Sequence, residues 1–345
     1  MQSPPSLQNS EEGQSAGEPG RRYLFIASAY GIYVHERRAE GWAEVRGGLD
    51  GKHVTSVTAR DGSALAGTRE GIFRSPDLGQ SWWPSSEGLQ EQHVRWLSYH
   101  PDGSGRAVAG TEPAAIFVRQ SDDEEWRECR EVAALRDAHG WSLPYSPEAG
   151  CVRGFAFHGA TGYAAVEQGG LLRTDSAGES WRLIAGGGDD EKDVVGASRG
   201  GLHPDVHSVL VHPTSANFVL AATGGGFYYS SDGGDAWEHL YTCYCRAAWV
   251  DPDRPAHMIL GPADGVSRRG RIEETGDGGQ TWTRRMDGLA SVWPEHMVER
   301  FLQVEDTLLA VLSNGELIAA SLDTLEWQVV IPAVQNVNAV ATLLG

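Results

Sequence analysis

The stretch that decides the fold is SSDGGDAW, Ser230 to Trp237. Close copies stand at 75–82 (SPDLGQSW), 174–181 (TDSAGESW) and 275–282 (TGDGGQTW), and all four fit S/T-x-D/S-x-G-x-S/T/A-W. The Ser, Thr and Asp side chains can accept hydrogen bonds from the amides of a tight turn, and the glycine supplies a position with positive φ. The tryptophan can pack its ring beneath that turn. The copies therefore predict a repeated turn with a buried anchor.

Weaker copies extend this repeat over the whole chain. AEGW, SDDEEW and LDTLEW end at Trp42, Trp126 and Trp327, which brings the number of markers to seven. The successive gaps between the seven tryptophans are 40, 44, 55, 56, 45 and 45 residues. This spacing is close to the period of about 40–45 residues that is typical of four-stranded propeller blades.

The interior of each period has the pattern of four short strands. A glycine followed by apolar residues precedes most of the tryptophans, as in GIYV at Gly31 and GFYY at Gly226, and a further apolar run such as FVLAAT precedes the glycine. After each tryptophan, a run such as VHSVLVHP begins a new inner strand. The 44 glycines and 12 tryptophans, with only 4 methionines, also favour a turn-rich all-β chain over a helical bundle.

The two ends of the chain complement each other. The first repeat begins at RYLFIASAYGIYV (22–34) without an inner strand, whereas VQNVNAVATLLG (334–345) is an inner strand without the rest of a blade. We therefore predict that the last strand completes the first blade, which removes free edges from the ring. The predicted fold is all-β, a single seven-bladed β-propeller over residues 21–345, preceded by a disordered polar tail over residues 1–20.

The repeats resemble the Asp-box, or BNR, repeats of the superfamily that contains sialidases, sortilin-type receptors, oligoxyloglucan-active cellobiohydrolases, photosystem II assembly factors and bacterial proteins described as glycosyl hydrolase-like. The resemblance covers nearly the whole chain, with four good motifs and three degenerate ones. It implies the fold more strongly than a function, because the box lies far from the active site of the sialidases. The sialidase Arg-Ile-Pro segment is absent, its nearest echo being VIPAV near Ile331, and no tyrosine nucleophile with a glutamate partner can be assigned.

The charge of the chain excludes several classes of partner. The formal net charge is −19, and Lys52 and Lys192 are the only lysines among 28 basic residues. An acidic surface repels phosphate backbones, so we expect no nucleic-acid partner and no membrane partner. No apolar run approaches the roughly 20 residues that span a bilayer, and the first 20 residues lack the pattern of a secretory signal. The expected location is the cytoplasm.

Basic residues recur at one position of the inner strands. When these strands are aligned on the closing turns at His100, His158, His212 and Asp251, a basic residue stands five positions before each turn. A looser alignment adds a fifth basic residue, and Asn338 falls there in the last strand. The predicted ring consists of Arg95, Arg153, His207, Arg246 and Arg300. It should line the channel mouth opposite the repeated turns, where the long links at 131–151 and 185–205 overhang.

A cationic ring on an acidic protein predicts a pocket for a carboxylate, sulfate or phosphate group, held by bidentate guanidinium contacts. His93, His296 and Trp141 are further candidate ligand contacts at the mouth. The alternative is that the arginines pair with carboxylates of neighbouring blades, such as Asp205, Glu299 or Asp137. An alignment slip of one residue would turn each side chain to the other face of its strand.

Histidines and cysteines near the mouth raise the question of a metal. The histidines belong to different blades without local ligand spacing, and the four cysteines match no strong zinc signature. The acidic run at 189–193 lacks the spaced oxygen ligands of a calcium loop. We therefore expect no metal and no other cofactor, with the histidines lining a wet channel. The residues concerned are His53, His93, His203, His207 and His296, and Cys129, Cys151, Cys243 and Cys245.

Three classes of function follow. The first is binding of an anionic small molecule, glycan or acidic peptide at the mouth through the ring. The second is a glycoside hydrolase or lyase, sialidase-like or xyloglucanase-like, that uses carboxylates and aromatic rings of the mouth loops. The third is a rigid scaffold for a protein partner. We rank binding above hydrolysis because the spacing selects no carboxylate pair. The candidate carboxylates are Asp137, Glu148, Asp205 and Glu295, and the candidate stacking residues are Trp141, Tyr145 and Trp293.

Overall fold

The computed structural model describes residues 21–146, 148–186, 201–289, 293–331 and 334–344. Their 28 strands form seven four-stranded antiparallel sheets. The sequence-based prediction of a seven-bladed β-propeller is therefore confirmed. The predicted tail at 1–20 and the acidic run at 189–193 lie outside the described residues.

Each blade runs from an inner strand at the central channel to an outer strand. Blade 1 contains β1 (Arg22–Ser28), β2 (Gly31–Arg38) and β3 (Gly41–Gly48); blade 2 contains β4 (Val54–Arg60), β5 (Ser63–Thr68), β6 (Gly71–Ser75) and β7 (Trp83–Pro84). Blade 3 contains β8 (Val94–Tyr99), β9 (Ala107–Thr111), β10 (Ile116–Arg119) and β11 (Arg127–Glu128); α1 (Arg130–His139) follows it. Blade 4 contains β12 (Cys151–His158), β13 (Thr161–Glu167), β14 (Gly170–Thr174) and β15 (Arg182–Ala185); blade 5 contains β16 (Val206–Val211), β17 (Val219–Thr223), β18 (Phe227–Ser230) and β19 (Glu238–Tyr241). Blade 6 contains β20 (Tyr244–Val250), β21 (Met258–Ala263), β22 (Glu273–Thr275) and β23 (Thr283–Arg284); blade 7 contains β24 (Val298–Val304), β25 (Thr307–Leu312), β26 (Leu317–Ser321) and β27 (Gln328–Ile331). The last strand is β28 (Val337–Leu344).

The ring closes through the two ends of the chain. Strand β28 pairs antiparallel with β1, from Leu344 opposite Arg22 to Val337 opposite Ser28. The strand that is last in sequence is thus the inner strand of the first blade, as the sequence predicts. Backbone hydrogen bonds between the ends hold the ring together.

The repeated turns join the third and fourth strands of their blades. In blade 5, the Ser230 hydroxyl accepts a hydrogen bond from the Gly234 amide and donates one to Asp232, both at 2.8 Å. The Asp232 carboxylate accepts from the Ala236 amide at 3.0 Å, and the Trp237 indole donates to the Gly234 carbonyl at 3.2 Å. The small polar residues of the motif therefore satisfy the turn, and the tryptophan closes over it.

One of these turns carries a testable pH dependence. Hydrogen bonds from the Thr281 hydroxyl and amide, with one from Thr275, hold the pKa of Asp277 at about 2, below the value of about 3.9 for an unfolded aspartate. The ionised carboxylate therefore stabilises the fold above about pH 4, and this contribution is lost as the pH falls toward 2. We expect Asp277→Asn to lower the melting temperature at pH 7, with a difference from wild type that shrinks below about pH 4.

Circular-dichroism melts at pH 7 and at acidic pH check this expectation. Asp323→Asn is the matched control, because the Asp323 carboxylate lies in the weak copy of the turn and accepts no hydrogen bond from the described residues. A difference for Asp277→Asn that stays constant between the two pH values would contradict the proposed role of the ionised carboxylate.

Glycines on the second strands allow neighbouring blades to pack closely. Each faces a buried valine at the start of the next blade's inner strand, and a Cβ on the glycine would lie 2.5–2.6 Å from that valine. None of these glycines has a positive φ, so glycine is required for space rather than for conformation. The contact sets how the inner strand of one blade is positioned along the second strand of the preceding blade. The pairs are Gly67 with Val94, Gly110 with Val152, and Gly261 with Val298.

The structure also contains one helix, which the sequence analysis did not predict. Helix α1 buries Val132, packs against the outer parts of blades 3 and 4 through β10 and β15, and ends at Gly140 in the left-handed conformation. It forms the first half of the long link at 131–151, so only the second half of that link reaches the channel mouth. No helix among the described residues is long and apolar enough to cross a membrane.

Candidate functional site at the channel mouth

Every inner strand carries a β-bulge near its start, after the first or second paired residue in blades 2 to 7 and between Val337 and Ala339 of β28 in blade 1. In blade 6, the bulge also includes Ala247. A bulge takes a residue out of the ladder and re-aims its side chain. The bulged positions lie on the face opposite the repeated turns, where the interblade links enter the inner strands. We call these seven residues the mouth ring: Thr55, Arg95, Arg153, His207, Arg246, Glu299 and Asn338.

The mouth ring contains four of the five basic residues predicted from the sequence. In blade 7, the bulged residue is Glu299, and Arg300 follows it. The looser alignment of that strand was therefore off by one residue. Arg300 nevertheless reaches the channel, because its guanidinium carbon lies 4.6 Å from the ring centroid of Trp96 on blade 3.

Carboxylates of the protein pair with most of the basic members. The alternative considered in the sequence analysis, internal pairing, thus holds for these residues, but Asp137 pairs with the adjacent Arg136 instead. Two of the carboxylates, Glu112 and Glu167, were not anticipated. The sequence does contain a pattern that could have indicated them, because each is the last residue of a similar run at the end of a second strand, AVAGTE in blade 3 and GYAAVE in blade 4. The pairs are Arg95–Glu112 at 2.7 Å, Arg153–Glu167 at 2.8 Å, Arg246–Glu299 at 2.8 Å and His207–Asp205 at 3.2 Å.

Two of the arginine pairs, Arg153–Glu167 and Arg246–Glu299, hold a carboxylate that is ionised at neutral pH. Burial opposes ionisation of Glu167, but the Arg153 guanidinium and the Tyr145 hydroxyl together hold its pKa at about 2. The pKa of Glu299 is also lowered, since Arg246 and Arg153 outweigh the effect of burial. Burial likewise opposes the charge of Arg246, but Glu299 raises its pKa.

Arg300 differs from the other arginines because no carboxylate of the described residues pairs with it. Its Nη1 donates to the backbone carbonyls of Glu299 at 2.7 Å and Arg246 at 3.4 Å. Its buried Nε has no hydrogen-bond partner among the described residues. Burial, followed by the nearby Arg153 charge, lowers the pKa of Arg300 to about 9. Arg300 thus lies close to the Arg153 cation and to Glu299, whose charge acts in the opposite direction and raises the pKa of Arg300.

The second half of the first long link lies over the ring. The Tyr145 hydroxyl donates to Glu167 at 2.6 Å, and the Ser146 hydroxyl donates to Glu112 at 2.7 Å. Tyr145 as a whole is 60% exposed. Trp141, a predicted ligand contact, is only 3% exposed and packs in the core with Val132, so it anchors the link instead.

The remaining candidates are dispersed. His93 lies 3.9 Å from Glu112, and burial lowers its pKa, as it does that of His53 beside Asn338. His296 packs on the buried Trp293, with ring centroids 5.2 Å apart. The five histidines thus form no single cluster. Of the candidate carboxylates, Asp205 pairs with His207 of the mouth ring, whereas the other three are exposed: Asp137, Glu148 and Glu295.

Comparison with solved structures finds the same architecture. An ancestral GH74 enzyme matches 77% of this chain with a TM-score of 0.60 and 15% identity, and this chain spans only 36% of that enzyme. YCF48 bound to D1 peptide matches with a TM-score of 0.56 and 14% identity over 85% of both chains. YCF48 from Cyanidioschyzon merolae matches with a TM-score of 0.55 and 14% identity, over 85% of this chain and 93% of that one.

These three structures share the propeller fold with this chain. At such low identity, the likeness is one of fold alone. No protein-family model matches the sequence, and no curated protein matches it.

Proposed function

We propose that the channel mouth binds an anionic ligand, a small molecule, a glycan or an acidic peptide, through one carboxylate group. The observation that carries this proposal is Arg300, a cation without a carboxylate partner among the described residues. Arg95, Arg153 and Arg246 surround it closely enough to disfavour its own charge. An incoming carboxylate would relieve that repulsion and supply the missing acceptor.

The paired arginines retain donors for the same ligand. Arg95 and Arg153 each use one terminal nitrogen, Nη1, to hold their own glutamate. Their Nη2 atoms donate no hydrogen bond to the described residues. A single carboxylate can therefore accept from Arg300 and from one neighbouring arginine without breaking an internal pair.

Glycoside hydrolysis has less support. It requires a carboxylic acid whose pKa is raised so that it can protonate the leaving group, alongside a second, ionised carboxylate. Glu167 and Glu299, which line the mouth, both have lowered pKa values. Binding therefore ranks above catalysis. The internal ion pairs of the other ring members favour one further candidate, a rigid scaffold that recognises a protein partner elsewhere on its surface.

A thermal-shift screen with sialic acid, glucuronate, sulfated sugars and acidic peptides tests the proposal. A carboxylate ligand should raise the melting temperature of the wild type, because it binds only the folded state. We expect this shift to vanish in Arg300→Gln, with affinity weakened by about tenfold or more through loss of a charge-assisted hydrogen bond.

Arg284→Gln serves as the control, because Arg284 is exposed on β23 at the outer edge of blade 6. It should respond to the ligand as the wild type does. If Arg300→Gln also responds like the wild type, the mouth is not the binding site. If no anion stabilises the wild type, the scaffold is favoured.

A further inference from the structure

Glu167, Asp205 and His207 bring one ligand atom each to a common point between blades 4 and 5. These three atoms all lie within 4.8 Å of one another. Glu167 ends β13, Asp205 precedes β16, and His207 is the bulged residue of β16. The topology thus delivers two carboxylates and one imidazole to the same side of the channel mouth.

The orientation of His207 leaves one ring nitrogen facing the carboxylates. Its Nδ1 lies 2.8 Å from the Cys245 carbonyl oxygen, which can only accept, so Nδ1 carries the proton. The other nitrogen, Nε2, lies 3.2 Å from Asp205 Oδ2. Nε2 and Oδ2 face the same space, so a metal ion placed between them would contact both atoms. Metal-binding histidines commonly donate their other N–H to a backbone carbonyl in this way.

Asp205 has unused coordinating capacity. Its Oδ1 is buried without a hydrogen-bond partner among the described residues, and an unsatisfied buried oxygen is costly. The carboxylate rests directly on Gly224, where a Cβ would overlap it. The φ of Gly224 is not in the left-handed region, so this glycine provides room for the carboxylate rather than a special turn.

Glu167 is held in place by donors that would also suit a coordinating carboxylate. The Tyr145 hydroxyl and the Arg153 guanidinium donate to it at 2.6 and 2.8 Å. Hydrogen bonds of this kind orient metal-binding carboxylates and are needed for full affinity.

We propose that Glu167, Asp205 and His207 form a binding site for a divalent transition-metal ion. One imidazole nitrogen with two carboxylate oxygens suits an ion such as Zn²⁺ better than Mg²⁺ or Ca²⁺, which prefer all-oxygen sites. Three protein ligands leave a coordination position open for water or an anion. This inference departs from the expectation of no metal site. The sequence contains only a short Asp-x-His at 205–207, and the third ligand comes from another blade.

A pocket lies beside two of the three proposed ligands. This pocket of about 580 Å³ on the same face is lined by Gly224 and Tyr244, among others. Gly224 contacts Asp205, and the Tyr244 hydroxyl lies 3.5 Å from His207 Nε2. Solvent therefore reaches the neighbours of two of the three ligands.

Isothermal titration of chelator-treated, full-length protein with ZnSO₄ at pH 7.5 tests the proposal. We expect one ion per chain, with affinity weakened at least about tenfold in Asp205→Asn and in His207→Gln. His158→Gln is the matched control, because His158 ends β12 on the opposite face, and it should bind zinc as the wild type does. Mg²⁺ should not compete.

Wild-type protein that binds zinc no better than His207→Gln would overturn the proposal, as would an equal loss in His158→Gln. Zinc, and not magnesium, should also raise the melting temperature of the wild type, which decides the question if His207→Gln does not fold. Arg300→Gln should bind zinc normally. The failure of the metal site and the failure of carboxylate binding are thus distinguishable.

Discussion

A chain that ends after residue 334 is expected to lose its cooperative thermal unfolding transition. Such a chain lacks β28, the inner strand of blade 1, and exposes the backbone of β1 along its paired edge. It also loses Ala339 and Leu343, which are buried against blades 1 and 2. An unclosed ring leaves both apolar surface and strand edge exposed, so we expect aggregation or a molten state. Circular-dichroism melts and size-exclusion chromatography measure this directly.

A circular permutant separates loss of the strand from loss of its position in the chain. Because Leu344 pairs with Arg22, residues 334–345 can be placed before Arg22 through a short glycine-rich turn. Permutation is tolerated where the joined ends are close together and exposed. We expect the permutant to melt cooperatively near the wild-type temperature. A truncated chain that melts like the wild type would show that closure by β28 is dispensable.

Arg153→Met is expected to lower the free energy of unfolding by about 3–5 kcal/mol, because it leaves a buried carboxylate without its counter-charge. Glu167 is the carboxylate concerned, with a side chain only 6% exposed. Its ionised form is stabilised by Arg153 in the wild type. Chemical denaturation of metal-free protein at pH 7 measures the loss.

The double variant Arg153→Met/Glu167→Gln is the control for charge. It removes both ions, and the glutamine can still accept from the Tyr145 hydroxyl. Replacing both partners of a buried pair costs much less than removing one. We therefore expect the double variant to regain most of the lost stability. If it is no more stable than Arg153→Met alone, packing of the arginine side chain rather than charge explains the loss.

The blade number and the closing strand could be predicted because they depend on local signals. The turn motif repeats with its tryptophan, and the incomplete repeats at the two ends can only complete each other. Helix α1 was missed because it lies in a link between blades, where the repeat imposes no pattern. Within the ring, the HP, HG and DP turns gave a common reference point for aligning the inner strands of blades 3 to 6. Blade 7 closes through Glu305 without such a turn, so its alignment slipped from Glu299 to Arg300.

The partners of the ring could not be predicted in the same way. Glu112 and Glu167 lie far from the inner-strand position in sequence and meet the arginines only because the second strands return to the mouth. Arg95 is the bulged residue of its strand, whereas Arg300 follows the bulged Glu299. Arg95 and Arg300 belong to the same residue type, yet one is paired and the other donates to backbone carbonyls. Residue type and spacing alone therefore could not predict which arginine pairs with a carboxylate.

The β-bulges allow the side chains at the channel mouth to vary without changing the strand pairing of the propeller. A bulged residue stands outside the ladder, so its identity is not constrained by strand pairing. The seven positions accordingly hold threonine, arginine, histidine, glutamate and asparagine, each at a bulge near the start of an inner strand. A scaffold of sevenfold pseudo-symmetry therefore presents an asymmetric surface. If the mouth binds a ligand as proposed, its specificity can be changed one blade at a time, and the asymmetric surface would favour one rotational orientation of that ligand about the channel axis.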